Sequence, residues 1–299
     1  MATMMQAAMQ GMGTGAVNLR RTLPKPTDRL PLGRSGLAVS PFCLGLTASP
    51  DTVIAAYECG VNFFFITGDL HWPLYDGVRK GLAKLLEGNP ARRSELVVGV
   101  VSYLDDPLFS ALQFQEVIDE VPGLGHVDLM IAGAVSSEQS FYSRVASINR
   151  ARASRHCGAS AIGATFHQRR LALAADHYGL LDISYIRFNC AHPGARAEVF
   201  PYIRPNRTGL VFNFKSAMSR VPEDMFASLG IPANYWRPDA CDHYRFVLSH
   251  PEIDGILCSP LYPAEMKGIA EAMEKGPLSV EEEEYMIWLS SKVHAPVLT

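Results

Sequence analysis

No two cysteines of this chain form a Cys-x-x-Cys pair. The six present (Cys43, Cys59, Cys157, Cys190, Cys241 and Cys258) are scattered. That spacing argues against a zinc knuckle or a dithiol redox motif and leaves reduced thiols as the default. No Gly-x-Gly-x-x-Gly follows an early strand, which weakens a classical dinucleotide fold. An excess of one charge is also missing: 27 basic residues face 30 acidic ones, for a net charge of -3. Nothing in that balance points to a nucleic-acid or membrane-surface partner. No apolar run reaches the roughly 18 residues that a membrane helix needs. No internal repeat or low-complexity block stands out after the first residues.

What is present is a large supply of core. Hydrophobic residues make up 48% of 299 residues, enough for one large domain or two small ones. The first 28 residues are rich in Met, Ala and Gly, and their basic residues come late. A secretory signal places charge first and an apolar stretch after it, so residues 1–28 read as a flexible leader of a cytoplasmic protein. Residues 29–299 read as one domain.

After the leader, RLPLGRSGLAV alternates apolar and polar positions around Arg34-Ser35-Gly36, a hairpin pattern. Short apolar strands then alternate with helical periods. Strands are expected at 40–46, 60–67, 95–102, 127–135, 159–165, 181–189, 209–215 and 254–259. Helices are expected at 51–57, 74–86, 107–121, 138–153, 167–177, 239–249 and 263–273, with a last one from Ser279, where Glu282 completes a capping box. Eight strands separated by helices give a parallel sheet, and eight units in about 250 residues fit a (β/α)8 TIM barrel. A doubly wound sheet is the rival.

Several segments, in order, resemble the aldo-keto reductases. They are LGRSGLAVSPFCLGL, GVNFF, VDLMI, Ile162-Gly163, and HYRFVLSHPEIDGILCSP followed by GPLSVEEE. The resemblance spans about Leu32 to Leu289 and implies a barrel closed at its bottom by the N-terminal β-hairpin. That family works with an Asp, a Tyr, a Lys and a His around a nicotinamide. Carried over one position at a time, the Asp falls on Ile66, the Lys on Val101 and the His on Gly133. The Tyr falls on His71, with Tyr75 near enough to substitute. A valine and an isoleucine cannot lower a tyrosine's proton affinity, so Tyr75 is left near the unperturbed ~10. The cofactor positions change as well. Thr165-Phe166 stands for the carboxamide-binding Ser-Asn pair, Tyr185 for the Gln, Lys215 for the aromatic that stacks on nicotinamide, and Leu261 for the Arg of the 2′-phosphate. No cofactor is therefore expected, although the resemblance itself implies NADPH.

In such a barrel the carboxyl ends of the strands build the site. The strand that begins Asn62-Phe63-Phe64-Phe65 breaks at Thr67-Gly68 into Asp69, His71, Trp72 and Tyr75. A His beside an Asp can serve as general base; the competing reading is a surface loop His. Asp69-x-His71 with His192 has the elements of a metal set, but spacings this short arise by chance and no metal is expected. Arg187 shares a phase with Tyr185 and Asn189, and Lys215 with Val211 and Asn213. Under the family alignment, Arg187 and Lys215 face the mouth. A cation there needs an anion, either from a substrate carboxylate or phosphate or from an internal acid such as Asp69. Tyr103 follows the third strand, and Asp105-Asp106-Pro107 reads as a helix cap. The expected catalytic set is His71, Lys215, Tyr75 and Asp69. The expected substrate contacts are Arg187, Asn189, Tyr185, Trp72 and Tyr103.

Three functions stay open. One is a non-redox acid–base enzyme of the lyase, isomerase, cyclase or hydrolase kind, acting on a small anionic metabolite. The second is an NADPH-dependent oxidoreductase with a rebuilt site. The third is a barrel without catalysis, acting as a sensor or subunit. The sequence leaves the oligomeric state open.

Overall fold

The computed structural model describes residues 18–69, 71–153, 159–177 and 179–293. Two short strands, β1 (Leu30–Pro31) and β2 (Ala38–Val39), pair antiparallel. Eight further strands run parallel and close on themselves: β3 (Phe42–Leu44), β4 (Phe63–Thr67), β5 (Val97–Ser102), β6 (Leu129–Val135), β7 (Ala161–Phe166), β8 (Ile183–Arg187), β9 (Leu210–Phe214) and β10 (Gly255–Cys258). They follow chain order around the barrel, with β10 pairing both β9 and β3. Helices lie between successive strands, which gives a (β/α)8 barrel. No helix among the described residues is long and apolar enough to cross a membrane.

The strands are apolar on both faces because both faces are covered. One set of alternate residues, including Phe42, Phe64, Ile66, Val98 and Val100, packs outward against the helices. The other set fills the barrel, with Cys43, Phe63, Phe65, Val101, Ile131, Tyr185 and Phe212 in one cluster. Aromatic edges meet at its centre: Phe63 and Phe212 lie 5.8 Å apart, and Tyr185 lies 5.7 Å from Phe65 and 5.9 Å from Phe212. Each such ring contributes about 1.5–3 kcal/mol by leaving water. Gly255 is required there, since a Cβ would stand 2.4 Å from Phe212 Cζ.

The hairpin supplies Leu32 and Val39 to the interior cluster, so it plugs the barrel floor. Of the leader expected over 1–28, residues 1–17 lie outside the described residues. Residues 18–28 lie against the barrel. Leu23 is buried, Arg20 N–H donates to Ser249 O, and the Arg20 guanidinium donates to Ile253 O at 2.6 Å.

Helix starts follow local chemistry. Asp106 accepts hydrogen bonds from Leu108 N and Phe109 N, with Pro107 in the first turn. Ser279 and Glu282 bond reciprocally as a capping box. Two boundaries differ from the sequence pattern. The helix expected from 167 begins at Leu171, since β7 holds its extended backbone through Phe166. The stretch between β9 and helix Ala240–Leu248 also contains helix Glu223–Ser228, which the sequence reading left unassigned.

Candidate functional site

The carboxyl ends of β4 and β5 carry one half of the mouth. Thr67 ends β4 on the interior side, and its hydroxyl donates to Asp69 Oδ1 at 2.6 Å. The same carboxylate accepts the His71 backbone N–H and sits 3.0 Å from His71 Nδ1. Asp69 is thus fixed by three donors, and it fixes the imidazole so that Nε2 is the free ring nitrogen. The Asp69 side chain is 11% exposed and that of His71 55% exposed, so the pair reaches from the barrel wall into solvent. The His71 ring lies 5.5 Å from Tyr103, which stands at the end of β5.

Tyr75 lies in a 3-10 turn, Trp72–Tyr75, and packs into the interior cluster over Phe65 at 6.2 Å. Burial pushes its phenol well above the usual range, and Tyr103, Cys43 and Asp69 push it further. Burial likewise raises Tyr103 to about 12, with Asp69 adding to the rise and Arg144 opposing it. Both hydroxyls stay protonated at neutral pH and serve as hydrogen-bond donors, not as bases. The sequence expectation of an unperturbed phenol at Tyr75 is corrected upward, because the ring lies inside the barrel wall.

The position aligned with the family's Asp also moves. Ile66 faces the helices, and the interior neighbour of Val101 is Thr67, the two being paired in the strand register. Val101 itself is interior. Gly133 has given its space to a ring: a Cβ there would lie 2.4 Å from Tyr103 Cδ1. The next residue, Ala134, holds a left-handed φ of 51° within an irregularity of β6. Thr165 Oγ1 accepts its N–H at 2.8 Å, and Arg144 caps its carbonyl at 2.9 Å. These bonds stabilise a conformation that L residues disfavour.

The ends of β7, β8 and β9 carry the other half. His167 follows β7 in phase with the interior positions Thr165 and Ala161 and stacks on Phe214 at 6.4 Å and 19°. Arg187 ends β8. Its Nε is buried without a hydrogen-bond partner, and the side chain makes no ion pair among the described residues. Lys215 follows β9, and its ammonium likewise makes no ion pair among the described residues. Burial lowers the Lys215 pKa first and Arg187 lowers it further. Burial also lowers His167, followed by Lys215, Arg187 and Arg144. Nearby cations are balanced: Arg169 binds Glu198 at 2.9 Å and Arg144 binds Asp105 at 3.2 Å. Arg187 and Lys215 therefore stand out as uncompensated charge.

Four expected residues are placed differently. Tyr185 is fully buried among Phe65, Phe212 and Cys43, one layer below the mouth, so its ring forms the floor. Asn189 is buried too. Its Oδ1 accepts Ala191 N and His192 N, and its Nδ2 donates to Lys215 O at 2.8 Å. Asn189 therefore holds the Lys215 turn. Lys215 leaves the phase of Val211 and Asn213, which face outward; it reaches the cationic group through a left-handed φ of 63°. Trp72 lies under the Arg79 guanidinium at 3.2 Å, a loop-packing role. Cys258 is buried and raised to about 12 by that burial, an inert thiol. No group of three His, Cys, Asp or Glu side chains fit for a metal occurs among the described residues.

Sequence reasoning missed His167, Phe214 and Arg144. The alternation Ala161, Gly163, Thr165 would have carried His167 into the barrel, and Phe63, Phe65 on β4 foreshadow the inward Phe212, Phe214 of β9. The nucleotide positions fit poorly. Leu261 N–H is capped by the Glu265 carboxylate at 2.8 Å, so a carboxylate stands where the resemblance expects an arginine for the 2′-phosphate.

No protein-family model matches the chain, and no curated protein matches it. Solved structures do. The chain is similar to a candidate aldo-keto reductase of Pseudomonas aeruginosa, with 16% identity, a TM-score of 0.60, and coverage of 86% of this chain and 98% of that one. It is also similar to an aldo-keto reductase of Bacillus halodurans in its holo form, with 12% identity, a TM-score of 0.66, and coverage of 88% and 96%. The apo form of the latter gives 15% identity and a TM-score of 0.63, again over 88% and 96%. The fold is that of the aldo-keto reductases.

Proposed function

We propose that this aldo-keto-reductase-like barrel binds a small anionic metabolite at its mouth and performs acid–base chemistry on it without hydride transfer. The observation that carries the reading is the arc of Arg187, Lys215 and His167, in which neither cation forms an ion pair with an acid among the described residues. Unpaired cations in a partly buried site are held at a cost, which an anionic ligand removes. Around the barrel β4 lies opposite β8, and β5 opposite β9. The Asp69–His71 pair therefore faces the cationic arc across the opening. A substrate anchored by its anion at Arg187 extends its other end toward His71 Nε2, the general base. Tyr103 and Tyr75, both protonated, donate hydrogen bonds to an oxygen that gains charge. Lys215, as an ammonium beside Arg187, holds the anion and polarises a neighbouring carbonyl. The reaction classes that use these groups are elimination, isomerisation, cyclisation and hydrolysis.

One observation favours the oxidoreductase reading. Phe214 turns inward at the end of β9, where a flat ring could stack, although the aligned position in sequence was Lys215. Against it stand Tyr75, whose phenol is raised and not lowered, and the carboxylate of Glu265 at the phosphate position.

A fluorescence titration with NADPH separates the two readings. The proposal expects no saturable quenching at micromolar cofactor. It also expects His71→Gln and Lys215→Met to abolish the same cellular product that deletion of the protein removes. Tight NADPH binding, with product formation indifferent to His71, would sink it.

A further inference from the structure

We infer that the mouth takes a phosphate monoester of a flat, unsaturated group, which deepens the anion reading above and rests on it. The first ground is charge. Arg144 and Arg169 are each balanced by a carboxylate, which leaves Arg187 and Lys215 as two uncompensated positive charges on neighbouring strand ends. A monocarboxylate would cover one of them. A phosphate monoester is close to doubly charged at neutral pH, since its second pKa is about 6.

The second ground is direction. The donors arrive from three adjacent strand ends, His167 after β7, Arg187 on β8 and Lys215 after β9. Three converging donors match three terminal oxygens of a tetrahedral phosphate better than the two coplanar oxygens of a carboxylate. The Arg187 Nε is buried and lacks a partner, which marks it as a donor awaiting an acceptor.

The third ground is shape. Phe214 and Tyr103 end the diametrically opposed strands β9 and β5, and both belong to the interior cluster. Below them Phe65, Tyr185 and Phe212 close the barrel, so nothing large descends. Aromatic side chains thus stand at the same strand ends as the cations, Phe214 next to Lys215 and stacked on His167, which suits a planar group esterified to phosphate.

Calorimetric titration of the full chain with three probes tests this: phenyl phosphate, benzoate and cyclohexyl phosphate. The expected result is that phenyl phosphate binds at least about tenfold tighter than either of the others. Arg187→Met and Lys215→Met should each weaken it by about tenfold or more. Phe214→Leu should weaken phenyl phosphate while leaving cyclohexyl phosphate unchanged. If benzoate binds as tightly as phenyl phosphate, the phosphate assignment is overturned while the anion reading survives. Equal binding of the cyclohexyl and phenyl esters overturns the flat group. Binding of none of the three overturns the anion reading itself. The ranking of probes on the native protein needs no variant, so a substitution that fails to fold does not blur the outcome.

Discussion

Two non-glycine residues have a left-handed backbone among the described residues, Ala134 and Lys215, and both end strands at the mouth. Strain of this kind persists where surrounding bonds over-determine it. Asn189 and Thr165 supply those bonds. The same turn explains why Lys215 was misjudged in phase from sequence. Alternation predicts facing only while the backbone stays extended, and a left-handed residue resets it. Asp69, His71, Tyr75 and Tyr103 were legible as neighbours because they follow strands whose ends are marked by Gly68 and by Asp105-Asp106-Pro107. Two substitutions probe this scale. Arg187→Met removes an unpaired cation, so the urea midpoint should rise, by about 0.5 kcal/mol or more in stability, while anion binding is lost. Gly133→Ala drives a methyl into the Tyr103 ring, and denaturation should show a loss of about 1–3 kcal/mol.

Among the elements, helix starts were the most readable, because caps are local: Asp106 and Ser279 need only residues two or three positions away. The tie between the last helix, Val280–Val293, and the barrel was not readable. Glu283 lies in an acidic run of four glutamates, yet it is fully buried, bonded by Arg196 and 3.3 Å from His250. Those partners lie far off in sequence, so no local pattern announces them. Removing one partner of a buried ion pair strands the other. Arg196→Met should therefore destabilise the fold by about 3–5 kcal/mol, measured by chemical denaturation, and Glu284→Gln, at a more exposed carboxylate bound to the same arginine, should cost under about 1 kcal/mol.

For the whole molecule, eight apolar strands with intervening helices read as a parallel α/β fold, and the family resemblance pointed to the closed barrel over the doubly wound sheet. The chemistry was only half legible. The sequence suggested Arg187 and Lys215 as cations at strand ends, but their grouping with His167 depends on three strand ends meeting in space. That arc also shapes the pH response. His167 has a lowered pKa, by burial and by Lys215, Arg187 and Arg144, while the unfolded chain titrates near ~6.5. The unfolded state therefore takes up the proton first, so this contribution is present above about pH 6.5 and is lost as pH falls toward the folded pKa. His167→Gln should flatten that part of the acid limb in a plot of stability against pH, and a native-like limb in the variant would assign the loss to other groups.

The most direct measurement is a calorimetric titration of the protein with inorganic phosphate at several salt concentrations, repeated on the Arg187→Met, Lys215→Met double variant. Saturable one-to-one binding that weakens with salt and vanishes in the double variant is the predicted result. Phosphate binding that the double variant retains, or none in the native protein, would contradict the anion site.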